Sequence, residues 1–463
     1  MTGELKERAA QLSALMEHIR EQEHFNGVIL IAKQGIPLLC DAMGIAEFSK
    51  DRVRTLTTDS MFELASVSKP ITALGIIRLH QLGKLEWDDP VSRWLPDLPY
   101  PGITIRHLLT HTSGLPDYME LFAKKWNPAQ KAVNNDVMDM LAAHRPASLF
   151  APNDSWMYSN TGYIMLAILI ERISGQPYAD FLSEQIFQPL SMTRTRVYNR
   201  RFDPGPVPKD YAWGYVYRLE HGGYVLPDMV PELNYVDYLD GLQGDGMVNS
   251  TVMDLLRLDR ALYDDKFIHP QLREAMFAPV VLNNGESFDY GFGWLIEHHD
   301  QLGKMVWHSG GWPGYATLFK RYIEQDTTLI LLQNGEREFA YTQQLIQSIE
   351  QILAGEQIEM PRPAAHRTII PRTSEDYEPF LGEYCFSDEQ EQSIPVKVYV
   401  KHSQLYMRLG NGMEFLLLPI SNSRFYEQQT ATELEFIGTE AGKSLQFIWY
   451  DHEGQSVADR IEK

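Results

Sequence analysis

Three groups of residues in this 463-residue chain have types and spacing that could do chemistry. The first is Ser66 with Lys69, three positions on, in Ala65-Ser66-Val67-Ser68-Lys69-Pro70. A serine hydroxyl is a weak nucleophile until a neighbouring base takes its proton. Positions three apart share one face of a helix, so Lys69 can reach Ser66. S-x-x-K is a known nucleophile pattern, although two fixed residues in four recur by chance in a long chain. A lysine amine is protonated at neutral pH, so the role of base needs burial and nearby charge. Tyr158 is a candidate to share it: a cation at Lys69 favours the phenolate, which lets Tyr158 relay a proton to a leaving group. Asn160, two residues on, offers a donor and an acceptor to a substrate amide. A bland alternative, that Tyr158 and Asn160 merely cap a helix, stands about even with this one. The third group is His308-Ser309-Gly310-Gly311. H-x-G also occurs at His221-Gly222-Gly223 and His452-Glu453-Gly454, but only His308 ends a predicted strand. The turn Gly311-Trp312-Pro313-Gly314 and a further strand follow it. A glycine pair on a strand admits a substrate backbone closely. Its exposed N–H, with that of Ser66, could form an oxyanion hole, each donor contributing on the order of 3–4 kcal/mol in the transition state.

These residues need elements to hold them. Ile71 to Leu82 is apolar nearly all round, which predicts a buried helix. Pro70 lacks an N–H and so belongs in the first turn. The helix therefore starts close to Ser66, at its positive end, and Gly83 is a natural residue to close it. A second apolar helix runs from Tyr163 to Ile173, opened by Tyr158-Ser159-Asn160 and closed by Ser174-Gly175. Earlier, Met1 to Glu23 reads as an amphipathic helix, with Leu5, Ala9, Leu12, Leu15, Met16 and Ile19 at helical spacing. Gly27–Ala32 and Ile36–Cys40 read as a hairpin turned at Lys33-Gln34-Gly35. Residues 105–115 form a short helix and loop, and 179–188 a short helix stopped by Pro189. From 196 to 240 a Tyr-, Pro- and Gly-rich excursion could border a pocket. Ser250 or Thr251 caps a helix to Leu262. Strands are expected at 291–298, 305–307, 315–323 and 327–332, then a helix at 341–353.

Early strands, a helical middle and late strands predict an α+β domain over 1–354, its antiparallel sheet flanked by helices and joined to an all-helical region. Pro361, Pro363 and Pro371 mark 355–373 as a linker. Short alternating runs over 374–463 predict a separate antiparallel barrel or sandwich. A chain this long exceeds one core.

Composition excludes several roles. Sixty-two acidic against 41 basic residues give a formal charge of −21. Nucleic acid and anionic membranes need clustered Lys and Arg, so neither is an expected partner. Two cysteines, Cys40 and Cys385, do not make a disulfide framework. The N-terminus lacks a continuous apolar stretch of the signal-peptide kind, and no run is long enough to span a membrane, so a cytoplasmic protein is expected. His298-His299-Asp300 reads as an exposed loop, since adjacent strand side chains point apart and hold a metal poorly. His107 and His111 have no Glu base nearby and are expected to satisfy loop backbone. Trp87-Asp88-Asp89-Pro90 reads as turn and cap chemistry. Aromatic residues of 211–238 fit a pocket lining and simple packing equally. No metal and no cofactor is implied.

Taken together and in this order, Ser66-Val67-Ser68-Lys69, Tyr158-Ser159-Asn160 and His308-Ser309-Gly310 resemble the penicillin-recognising serine hydrolases. The branch is that of class C β-lactamases, D-Ala-D-Ala carboxypeptidases, D-aminopeptidases and related esterases. Leu108–Leu115, Gly244–Ser250 and Tyr290-Gly291-Phe292-Gly293-Trp294 are similar to its framework segments. The resemblance covers roughly residues 20–350, and the region from about 374 is similar to the lipocalin-like barrel often attached to such domains. It implies that Ser66 is acylated, with Lys69 and Tyr158 as coupled acid and base. It further implies that Asn160 holds the acyl side chain and that the N–H groups of Ser66 and Gly311 bind the oxyanion. His308 departs from the Lys of class C β-lactamases and is like the His of some peptidases and esterases. Lacking a permanent cation there, the chain should hold a β-lactam carboxylate weakly.

The expected function is a serine hydrolase acting on a small amide, ester or peptide, with a D-amino-acid moiety as one option. A carboxylesterase is the runner-up, and a catalytically silent scaffold on the same fold is the alternative of another class. Oligomeric state is not legible.

Overall fold

Two runs apolar at every position, Val28-Ile29-Leu30-Ile31-Ala32 and Leu329-Ile330-Leu331-Leu332, lie side by side in the middle of the main sheet. Strands buried on both faces read this way because neither face meets water. The computed structural model describes residues 3–48, 53–203, 205–218, 221, 223–335, 339–362, 369–387, 393–401, 403–410, 414–427, 432–440, 442–450 and 455–461. Residues 363–368 of the expected linker and His452-Glu453-Gly454 lie outside them.

The chain divides into two compact units, Met1–Met16 with Phe25–Glu336 and Glu17–His24 with Arg337–Lys463. In the first unit the sheet contains β1 (Gly27–Lys33), β2 (Ile36–Met43), β3 (Leu295–His299), β4 (Gly303–Trp312), β5 (Tyr315–Tyr322) and β6 (Thr327–Gln333). Its order is β3-β4-β5-β6-β1-β2 with every ladder antiparallel. The β1–β2 hairpin turns at Gln34-Gly35, as expected. Two late strands depart from expectation. Residues 291–294 are not strand, and β4 runs on through His308 to Trp312. Gly310 and Gly311 pair with Thr317 and Ala316, so the glycine pair lies in the ladder and the turn expected over Gly311–Gly314 is confined to Pro313-Gly314.

Helix α1 (Gly3–Gln22) buries Leu12, Leu15, Met16 and Ile19. Helix α2 (Ser68–Gln81) is buried nearly throughout and carries Pro70 in its first turn; Gly83, at φ +67°, closes it with an N–H to the His80 carbonyl. After the five-residue α3 (Ile105–Leu109) comes α4 (Asn160–Ser174), capped by the Ser159 hydroxyl accepting the Gly162 N–H. Eight consecutive residues of α4, Tyr163 to Ile170, are buried. Each buried aliphatic side chain of that size stabilises by about 1.5–3 kcal/mol before entropy is charged against it. Helix α5 (Val252–Ala261) starts at its N-cap Thr251.

The second unit holds α6 (Phe339–Ala354), a 3-10 helix over Ser374–Phe380 and a closed eight-stranded antiparallel barrel. The barrel runs β7 (Gly382–Ser387), β8 (Ser393–Lys401), β9 (Gln404–Leu409), β10 (Glu414–Pro419), β11 (Arg424–Glu427), β12 (Thr432–Glu440), β13 (Lys443–Tyr450) and β14 (Gln455–Arg460). Phe380 of the 3-10 helix packs on Phe425 and Phe436. With Tyr384 and Phe447 they give the barrel one contiguous aromatic core. Neither Cys40 nor Cys385 is in a disulfide. Among the described residues no helix is long and apolar enough to cross a membrane.

Candidate active site

Ser66 sits in a 3-10 turn, Ala65–Val67, that leads directly into α2. Ala65 takes φ +46°, a left-handed conformation that costs a non-glycine residue energy. The turn is held from several sides. The Leu64 carbonyl accepts from the Thr317 hydroxyl at 2.7 Å and the Val67 N–H at 3.1 Å, while the Leu64 N–H donates to Val248. The Ser68 hydroxyl accepts the Val248 N–H.

Lys69, one helical turn from Ser66, is fully buried. Its Nζ donates to Ser66 Oγ at 2.9 Å and to the Asp245 carbonyl at 2.9 Å, and stands 4.8 Å from the centre of the Tyr158 ring. Tyr158 is 38% exposed, whereas its neighbours Ser159 and Asn160 are half-buried at the start of α4. No hydrogen bond engages the Asn160 amide among the described residues. The N-cap is Ser159, so the capping reading of the sequence applies to the residue between the two candidates.

Strand β4 brings the third group. Pairing with β3 ends at Trp307, so among the described residues His308 to Trp312 of β4 pair only with β5, leaving one edge without a ladder partner. Gly310 faces the serine turn: a Cβ there would stand 2.3 Å from the Leu64 oxygen and 3.0 Å from Ser66 N. Only glycine lets the strand lie this close. A Cβ on Gly311 would meet open space. His308 is 2% exposed, with its ring 6.0 Å from that of Tyr158. A carbonyl only accepts, so the 2.6 Å contact with the Ser309 oxygen puts the proton on Nδ1. Nε2 is buried with no partner among the described residues. Burial, then the Lys69 charge, push the imidazole down to about 3, so it is neutral.

Several neighbours lie outside the three groups. Asp245 is half-buried beside Lys69, its carboxyl raised by desolvation against the pull of Lys69, and it accepts from the Tyr118 hydroxyl at 3.0 Å. His111, expected to serve loop backbone, does accept the Ser159 N–H, but it also packs on Tyr158. His107 stays within its own helix cap, accepting the Thr104 N–H. The signal for Asp245 and His111 was their place in the Gly244–Ser250 and Leu108–Leu115 segments. Of the aromatics in 211–238, Tyr211 is buried under Tyr315, whereas Tyr235 meets Trp312 edge-on beside Gly311. His298 and His299 end β3, and no group of three His, Cys, Asp or Glu side chains could hold a metal among the described residues.

The Beta-lactamase family profile matches residues 12–354. The chain is 45% identical to Penicillin-binding protein 4* of Bacillus subtilis (strain 168) over 452 residues, 97% of this chain and 98% of that one. It is 36% identical to Esterase EstB of Burkholderia gladioli over 200 residues, covering 40% of this chain and 50% of that one. A solved penicillin binding protein from Bacillus halodurans superposes with a TM-score of 0.62 at 27% identity, over 74% of this chain and 98% of that one. Fold, profile and relatives agree, and the chain belongs to the beta-lactamase family of serine hydrolases.

Proposed function

We propose that the protein hydrolyses a small amide or ester, with a D-amino-acid peptide as one such substrate, through an acyl-enzyme on Ser66. The observation that carries this is the 2.9 Å contact between Ser66 Oγ and a lysine nitrogen buried at its side. In the first step Ser66 Oγ attacks the substrate carbonyl while its proton passes to the Lys69–Tyr158 pair. The N–H groups of Ser66 and Gly311 receive the oxyanion, and Asn160 holds the acyl side chain. The same pair then returns the proton to the departing nitrogen or oxygen, leaving the acyl group on Ser66. Water repeats the sequence in reverse, releasing a carboxylic acid and restoring the hydroxyl. An extended substrate can add its backbone to the open edge of β4 from His308 onward, with Ser309 and Gly310 beside it.

A carboxylesterase is the second reading, favoured by the neutral His308. With no cation there, nothing at that position rewards a substrate carboxylate, so β-lactams should acylate slowly and uncharged esters well. The likeness to an esterase over half of that protein's length points the same way.

The test is to incubate the protein with a fluorophosphonate, a penicillin, p-nitrophenyl acyl esters and D-Ala-D-Ala peptides, following adducts by mass and products by rate. The expected result is a covalent adduct at Ser66 that disappears in Ser66→Ala. No adduct and no turnover with any probe overturns the reading. Peptide turnover without ester turnover removes the esterase.

A further inference from the structure

Three consecutive residues, Met157, Tyr158 and Ser159, are gripped by one histidine that the reaction does not otherwise use. His111 lies just after α3 at φ +60°, and its ring is 1% exposed. Its carbonyl accepts the Met157 N–H at 3.0 Å, and its Nδ1 accepts the Ser159 N–H at 3.0 Å. Between these two anchors its ring packs on Tyr158, centroids 4.4 Å apart.

The direction of each hydrogen bond is fixed. An amide N–H only donates, so Nδ1 carries no proton; Nε2 therefore carries it and donates to the Tyr290 hydroxyl, 3.0 Å away. The ring is walled in by Tyr290 at 4.6 Å, Tyr163 at 5.1 Å and the edge of Trp156 at 6.0 Å. Burial first, then the Lys69 charge, hold His111 well below the usual imidazole range, which keeps Nδ1 bare for Ser159.

We infer, resting on the acyl-serine reading above, that His111 is a positioning residue which, held in one tautomer by Tyr290, aims the Tyr158 hydroxyl at the leaving group. Tyr158 has an exposed side and needs a wall: misplacement by about 1 Å costs on the order of 100-fold in rate. A proton delivered to a leaving group matters most where that group departs badly, so a badly aimed Tyr158 should betray itself by leaving group.

The experiment compares two substrates with one acyl group, a p-nitrophenyl ester and an alkyl amide, in wild type, His111→Asn and Tyr290→Phe. Asparagine accepts positive φ and can still take the Ser159 N–H, so His111→Asn removes chiefly the ring. For His111→Asn we expect kcat on the amide to fall by about 30-fold with KM nearly unchanged, and kcat on the p-nitrophenyl ester to fall by less than about 3-fold. Tyr290→Phe should show the same contrast at about 5-fold, and it decides the matter if His111→Asn does not fold. Equal losses on both substrates, or no loss, overturn the inference, because a merely structural residue is blind to the leaving group. Fluorophosphonate labelling of Ser66 in wild type reports on the acyl-serine reading separately. Labelling without the contrast overturns only the role of His111, and no labelling and no turnover overturns both.

Discussion

Ser66 Oγ and Lys69 Nζ are 2.9 Å apart, and the same nitrogen is tied to the Asp245 carbonyl at 2.9 Å. The lysine is thus held from two sides, and it cannot leave the serine without abandoning that carbonyl as well. That fixes the geometry on which the proposed proton transfer depends.

Lys69→Ala and Tyr158→Phe should each slow acylation of Ser66 by about 10²–10⁴-fold with the fold retained. Stopped-flow acylation by a p-nitrophenyl ester, with circular dichroism of each variant, checks this. Near-normal rates in both variants would refute the coupled pair.

Gly310→Ala should damage the site mechanically. Its Cβ would meet the Leu64 oxygen at 2.3 Å and the Thr317 hydroxyl at 2.4 Å, forcing strand and turn apart. We expect a stability loss of about 1–3 kcal/mol together with slower acylation. Gly311→Ala, whose Cβ meets open space, should change stability by less than about 0.5 kcal/mol. Urea denaturation of the two variants makes the comparison, and equal stabilities would contradict the close approach.

His308 gives the protein an acid limb. Its folded value near 3 lies below its ordinary 6.5, so below pH 6.5 the unfolded chain binds a proton that the folded one refuses. The stabilisation is whole above pH 6.5 and drains away as pH falls toward 3, at about 1.4 kcal/mol per pH unit for one proton. In His308→Gln the slope of stability between pH 4 and 6 should be shallower by about that amount. Denaturation curves at three pH values measure it; an unchanged slope would mean that His308 titrates normally in the folded protein.

Glu63, three residues before Ser66, works in the opposite sense. Burial raises its carboxyl to about 7, opposed by the charge of Arg201. A raised acid favours folding below its ordinary 4.5 and loses that contribution as pH climbs through 7. Glu63→Gln should therefore stabilise the protein at pH 8 by on the order of 2–3 kcal/mol and leave it nearly unchanged at pH 4. Thermal melts at the two pH values decide it, and a destabilised variant at pH 8 would show that the carboxylate is paired after all.

Helices α2 and α4 were legible because what makes them is local. Continuous apolar sequence, Pro70 in a first turn, Ser159 as a cap and Gly83 beyond an end all act within a few residues. The spacing of Ser66 and Lys69 belongs to the same class, since one helical turn sets their separation. An antiparallel barrel or sandwich, too, was readable from period-two runs, though not which of the two, nor the aromatic core that Phe380 completes from outside the strands.

What the sequence determined by itself is the spacing of Ser66 and Lys69, the helices that carry them and the broad plan of an α+β domain followed by an antiparallel β domain. Tertiary structure alone decided that Asp245, 176 residues along, would hold Lys69, and that His111 would stand beneath Tyr158. It also decided that β4 would run past His308 with one edge open. Local pattern cannot carry such facts. A carbonyl, a buried imidazole or a glycine in a ladder acquires its role from atoms brought to it by the whole sheet, and the energy that selects it is the energy of leaving that group unpaired.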